Sequence, residues 1–129
     1  MTLLLDTHVF LWFISDNARL LGGFRDAIRD PNNSVYLSVA AVWEAIIKHG
    51  LGRLPLPAPP GDYLPQQRDR HRIVSLPIEE AALTHLAKLP PLHRDPFDRI
   101  MVAQAIQHDL TLITVDEAMR AYPVKLLTP

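Results

Sequence analysis

Three acids stand where short apolar runs end or where a helical pattern begins, Asp6, Asp98 and Asp116, and a fourth, Glu44, stands inside a helical pattern. Asp6 directly follows the run Met1–Leu5, and Asp116 directly follows the run Leu110–Val115. Asp98 falls in the first turn of an apolar helical pattern, and Glu44 lies about a turn and a half into another. Carboxylates brought together repel, so such a cluster persists only if protonated, paired with Lys or Arg, or holding a cation. Hard oxygen donors, in a chain with no cysteine and no obligatory histidine set, select Mg²⁺ or Mn²⁺ over zinc. An ion in such a cage lowers the pKa of a bound water and stabilises the leaving oxygen of an in-line displacement. Phosphodiester hydrolysis is the chemistry that suits these donors.

Whether the acids meet depends on the elements that carry them. In the stretch His93–Met119, Asp95 has the place of a helix N-cap, with Pro96 in the first helical position. Phe97, Ile100, Met101 and Ala105 recur at helical spacing, with Val102 and Ile106 widening the apolar face. His108-Asp109 closes that helix, and Leu110–Val115 reads as a buried strand. A helix runs antiparallel to the strand that follows it in a parallel sheet. Its start is therefore level with the strand's end, which puts Asp98 and Asp116 on one edge, where open α/β sheets bind ligands. Met1–Leu5, buried on both faces as a central strand, brings Asp6 to the same edge. Thr114, two residues before Asp116, is placed to hydrogen-bond a carboxylate or a water, or simply to serve as a β-branched strand residue.

The rest of the chain alternates in the same way. Helices are expected over His8–Ile14, Ala18–Arg29 (weakened at its middle by Gly22-Gly23), Val39–His49, Asp62–Arg72, Ile78–Leu89 and Glu117–Tyr122. Short strands are expected at Val35–Leu37, Ile73–Leu76 and, at an edge, Val124–Leu127. Ser38 is a suitable cap for the helix it precedes. In that helix Val39, Val42, Trp43, Ile46 and Ile47 read as the buried face, which leaves Glu44 costly to bury unless paired or bound to a cation. Ala81, Ala82, Leu83, Leu86 and Leu89 read as inward-facing. Pro55–Pro60 is a rigid connector. Strands alternating with helices call for a three-layer α/β/α sandwich with four or five parallel strands.

Composition sets the bounds. The 129 residues suit one domain, since domains most often run ~100–150 residues, so residues 1–129 are expected to form a single unit. With 48% hydrophobic residues the chain can build a core. The N-terminal apolar run is far shorter than the ~20 residues of a membrane span, and no secretion signal is recognisable; a cytoplasmic location is the expectation. A net charge of −1 neither favours nor excludes a nucleic-acid partner. Arg68, Arg70 and Arg72 cluster with His71, either as a solvated helix face or as phosphate contacts.

LLLDTHVFLWF at the start, SVAAVWEAIIKHGLGRL in the middle, and HRDPFDRIMVAQA with LTLITVDEAM near the end resemble the PIN domain, in particular the VapC-like toxin ribonucleases of bacterial toxin–antitoxin pairs. The resemblance spans nearly the whole chain, with the segments in the family's order. It implies a PIN-like fold and a Mg²⁺- or Mn²⁺-dependent endoribonuclease leaving a 5′-phosphate and a 3′-hydroxyl. A homodimer inhibited by a small VapB-like antitoxin is implied as well. The family's four acidic positions fall on Asp6, Glu44, Asp98 and Asp116, with Asp6, Asp98 and Asp116 as the metal ligands. Asp95 either caps its helix or borders the metal site. Arg99 either neutralises the acids, touches the scissile phosphate, or is a surface residue. His8 is a candidate substrate contact or a structural first-turn residue.

Two other classes compete. A phosphoacceptor signalling domain wants a pair of acids after the first strand and a Lys beyond the last core strand. Here only Asp6 stands at the first place, and Lys125 lies within the last run. A haloacid-type phosphatase wants a second Asp where His8 stands. A catalytically silent binding module on the same fold has no reason to keep four costly carboxylates together.

Overall fold

The computed structural model describes residues 1–129. Four parallel strands form one sheet: β1 (Thr2–Leu5), β2 (Ser34–Ser38), β3 (Val74–Leu76) and β4 (Thr111–Ile113), in the order β3-β2-β1-β4. Seven helices connect and cover them: α1 (Thr7–Ile14), α2 (Gly22–Arg29), α3 (Val39–Gly50), α4 (Pro60–Arg70), α5 (Glu80–Ala87), α6 (Pro96–Gln107) and α7 (Glu117–Arg120). β1 is central, with Leu4 in register with Tyr36 on one side and Leu112 on the other. Its Leu3, Leu4 and Leu5 are fully buried. Successive strand side chains point to opposite faces, so both faces of the sheet are covered and the architecture is three-layered, as expected. No helix is long and apolar enough to cross a membrane.

The expected edge strand at 124–127 shrinks to a single bridge, Leu112 with Leu126. Leu112 N–H donates to Lys125 O (2.8 Å) and Leu127 N–H to Leu112 O (3.1 Å), which shields the outer edge of β4. Four helices end in the same way. After α1, α3, α4 and α6 one residue turns left-handed (Asp16 φ 51°, Gly52 φ 72°, Arg72 φ 58°, Asp109 φ 55°). The next N–H then reaches back to the last turn, as in Ile73 to Arg68 O (2.9 Å) and Leu110 to Ala105 O (2.8 Å). This closing loop satisfies orphan carbonyls and launches the chain directly into β3 and β4. Arg72 is thus a helix-stop residue at the entrance to β3.

Three further expectations need correction. The helix expected from Ala18 begins only at Gly22, because Asn17 draws residues 18–20 into a turn: Arg19 N–H donates to its Oδ1 (2.9 Å) and Leu20 N–H to its carbonyl (3.1 Å). The glycines therefore occupy the first turn of α2, where their lack of side chain costs the helix least. In α5, Ala81 and Leu83 face solvent, and only Ala82 is fully buried. In α3 the buried face is the small one: Ala40, Ala41 and Ala45 pack inward, whereas Trp43 is 56% exposed, Ile46 45% and Ile47 41%. Helix and neighbours approach closely over alanines, so the large residues are rotated outward. Glu44 is rotated inward to 2% exposure.

Ser38 Oγ accepts the Ala40 N–H at 3.0 Å and is itself fully buried, so it fixes the start of the helix that carries Glu44. Ser38→Ala is expected to cost about 1 kcal/mol, which lowers the thermal midpoint by roughly 4 °C in a domain of this size. Calorimetry of the two proteins checks this; an unchanged midpoint would mean the cap is dispensable.

Candidate active site

β1 leads to β2 on one side, and β4 joins it on the other, so the strand order reverses between β1 and β4. Ligand crevices form at the carboxyl ends of strands flanking such a switch point. Asp6 N–H still belongs to the ladder, donating to Ile113 O at 3.0 Å. Asp6 therefore leaves β1 level with the end of β4. One cleft of about 330 Å³ lies there, lined by Asp6, Glu44, Asp95, Asp98 and Asp116 together with Lys48 and His93. His8, Trp12 and Val115 complete its rim.

Each acid is held by a local device. Asp6 Oδ1 accepts the Thr7 N–H (2.7 Å) and Oδ2 accepts the Thr114 hydroxyl (2.8 Å). Thr114 Oγ1 in turn accepts the Asp116 N–H (3.0 Å), so one buried threonine ties two of the acids together. Asp116 caps α7 through the N–H groups of Ala118 (2.8 Å) and Met119 (3.1 Å), all on Oδ1. Asp95 caps α6 in the same manner, its Oδ1 accepting from Phe97 and Asp98. Cap and cleft wall are both true of Asp95. Pro96 at the first helical position and the extended backbone at Asp95 explain why α6 starts there.

Asp98 is the most crowded. Burial first, and then the charges of Asp6, Asp95, Glu44 and Asp116, push its carboxyl up to about 8. Burial also raises Asp6, against the opposing hydrogen bonds of Thr114 and Thr7. Glu44 is fully engaged: Oε1 accepts the Thr7 hydroxyl at 2.7 Å, and Oε2 is paired with Lys48 one turn further along α3. Burial works against the Lys48 charge, but its hydrogen bond to Glu44 and the charges of Glu44, Asp95 and Asp98 prevail and raise its pKa.

His93 is the site residue that the sequence did not single out. Its Nδ1 accepts the Asp95 N–H (3.2 Å), so the ring proton sits on Nε2. That nitrogen faces Asp98 Oδ2 at 2.9 Å and Asp116 Oδ2 at 3.3 Å. The available signal was its position two residues before the Asp95 cap, a spacing that turns a loop side chain back over the helix start. Tyr122 holds this loop, its hydroxyl accepting the His93 N–H at 2.9 Å.

The remaining candidates separate. Thr114 and His8 are at the site. Arg99 is not among the cleft residues: its Nη1 donates to Tyr122 OH (3.0 Å) and Pro90 O (3.1 Å), bracing the loop before α6. Arg68 pairs with Asp69 (3.1 Å) near the end of α4, and Arg70 and Arg72 follow it to the entrance of β3. Strands enter at the opposite edge from where they leave, so this basic cluster lies away from the acids. Lys125 pairs with Asp109 at 2.8 Å before β4 begins, not with the strand-end acids that a phosphoacceptor site would need.

The oxygens of Asp98 and Asp116 lie within 4.8 Å of one another and of His93 Nε2, and those of Glu44, Asp95 and Asp98 lie within the same distance of each other. Oxygen-rich donors under mutual repulsion are the environment that a hard divalent cation relieves. The Asp98 shift has a further consequence. The fold keeps a proton that the unfolded chain, with a carboxyl near 3.8, releases. Stability from this group is therefore full below pH 3.8 and is lost as pH rises towards 8. In EDTA, Asp98→Asn is expected to melt above wild type at pH 8 and to show a flatter dependence of midpoint on pH. Parallel pH profiles for the two proteins would overturn this.

The PIN domain pattern matches residues 3–125 of the chain. Ribonuclease VapC22 of Mycobacterium tuberculosis is 32% identical over 123 residues, covering 94% of this chain and 92% of that protein. Ribonuclease VapC16 of the same organism is 36% identical over 61 residues, 47% of this chain but only 43% of its own length. Among solved structures, VapBC2 of Rickettsia felis, bound to a DNA fragment from its promoter, superposes with a TM-score of 0.72 at 14% identity, covering 98% of each chain. With acids, topology and sequence pattern in agreement, the chain belongs to the PIN domain family.

Proposed function

We propose that this chain is a divalent-metal-dependent endoribonuclease, the toxin half of a VapBC-type toxin–antitoxin pair. The observation that carries this reading is the convergence of Asp6, Glu44, Asp98 and Asp116 on one cleft, with the Asp98 carboxyl pushed up to about 8 by its burial and then by its acidic neighbours. The ribonuclease names of VapC22 and VapC16 support the substrate class. Asp6, Asp98 and Asp116 are the proposed ligands of Mg²⁺ or Mn²⁺. When bound, such an ion supplies charge neutralisation at the phosphate and a more acidic water.

The chain's own residues do the rest. Thr114 holds Asp6 and Asp116 in one orientation, which limits the reorganisation needed when an ion arrives. The His93 Nε2–H bridges Asp98 and Asp116 and holds their facing oxygens in position. Asp95 fixes the first turn of α6 and so the height of Asp98. Attack of water on the phosphorus with departure of the 3′ oxygen leaves a 5′-phosphate and a 3′-hydroxyl. A VapB-like antitoxin, a homodimeric assembly and a cytoplasmic setting complete the reading. The VapBC2 complex among the structural neighbours supports the partner. An antitoxin arginine entering the acidic cleft is the inhibition that charge complementarity favours.

The test compares wild type with Asp98→Asn on a mixed panel of structured and single-stranded RNAs, in Mg²⁺, Mn²⁺ or EDTA. Cleavage is expected from wild type alone, abolished by EDTA, with products whose new 5′ ends accept no further phosphate until dephosphorylated. Equal cleavage by both proteins would place the activity elsewhere.

A further inference from the structure

Glu44 and Lys48 stand apart from the other cleft residues. Both oxygens of Glu44 are taken, one by the Thr7 hydroxyl and the other by the Lys48 ammonium. The pair is spaced i,i+4 on α3, so the helix itself sets its geometry. Lys48 is the only Lys or Arg lining the cleft, since Arg99 is committed to Tyr122 and Pro90. Its side chain is 36% exposed beside a Glu44 at 2%. The ammonium therefore has one face on the buried carboxylate and another open to whatever enters. Of its three N–H donors, one serves Glu44.

A phosphodiester brings a negative charge to a wall made of carboxylates, and its charge grows during displacement. We propose that Lys48 is a phosphate-binding cation of the cleft and that Glu44 is its positioning residue, not a metal ligand. This rests on the nuclease reading above. The paired Glu44 and Lys48 add no net charge to the cleft. Glu44 keeps the ammonium from collapsing onto Asp98, one of the proposed ligands of the divalent ion. The buried Glu44 carboxylate, one helical turn away, restricts the ammonium to one region of the cleft, so it meets a nonbridging phosphate oxygen without reorganising.

The competing arrangement is that Glu44 ligates the ion with Asp95 and Asp98, whose oxygens lie within 4.8 Å of its own. Titration calorimetry with Mn²⁺ separates the two. The double variant Glu44→Gln/Lys48→Met preserves net charge. It is expected to bind Mn²⁺ within about threefold of wild type, while Asp98→Asn loses at least roughly tenfold, the scale of losing a supporting contact. Loss by the double variant equal to that of Asp98→Asn would make Glu44 a ligand and overturn the proposal. If the double variant does not fold by circular dichroism, Glu44→Gln alone serves, read against the same Asp98→Asn control.

Cleavage of the most rapidly cut RNA of the panel tests Lys48 itself. Lys48→Met is expected to lower kcat on the order of 10²-fold with Mn²⁺ affinity retained, and Lys48→Arg to recover part of the loss. A wild-type rate in Lys48→Met would show that the ammonium does not touch the phosphate. Wild type that binds Mn²⁺ but cuts nothing would overturn the nuclease reading and the phosphate role together, while the calorimetry still decides the role of Glu44.

Discussion

Charge repulsion among carboxylates in a partly dry cleft is the constraint to which the rest of this molecule answers. Burial raises the carboxyls of both Asp6 and Asp98, and Asp98 also feels four acidic neighbours. A fold that simply collected these groups would push itself apart. Here each acid is given donors of its own: backbone N–H groups at three helix starts, two threonine hydroxyls, a histidine N–H and one ammonium. Helix starts suit the task because their first N–H groups have no intrahelical partner and their dipole favours negative charge. The same geometry that begins α1, α6 and α7 thereby holds the cleft at fixed dimensions.

The parallel sheet makes this economical in chain length. Every strand ends at the same edge and every following helix begins there, so acids placed at the ends of β1 and β4 and the start of α6 must meet. Glu44 is the exception, reaching the cleft from the second turn of α3. Its entry depends on the alanine face of that helix. With Ala40, Ala41 and Ala45 against neighbouring elements, α3 lies close enough for a glutamate and a lysine to arrive from the side.

That dependence explains what was legible in the sequence and what was not. Asp6, Asp98 and Asp116 were readable because each sits at a boundary between an apolar run and a cap, and boundaries are positions in space once the sheet is parallel. The α3 face is not legible in this way because residue size is a poor guide to burial: Trp43, Ile46 and Ile47 look like a core stripe, yet close helix packing selects alanine there. Trp43 finds instead an edge-on contact with Phe97, ring centres 4.8 Å apart. His93 was illegible because a loop histidine acquires its role from a bond to the backbone of Asp95, which no periodicity announces. The Arg68–Arg72 cluster was visible as charge, but only strand direction tells which edge it occupies.

The hydrogen bond from Thr114 to Asp6 joins residues 108 positions apart. β4, which pairs with β1, leaves the ribosome after β1, β2 and β3. A nascent chain that has made β1, β2 and β3 still has Asp6 without its hydroxyl partner and one flank of the central strand bare. The cleft is therefore a late product of synthesis, and a growing polypeptide carries its acids unassembled past the very RNA-rich machine that is making it.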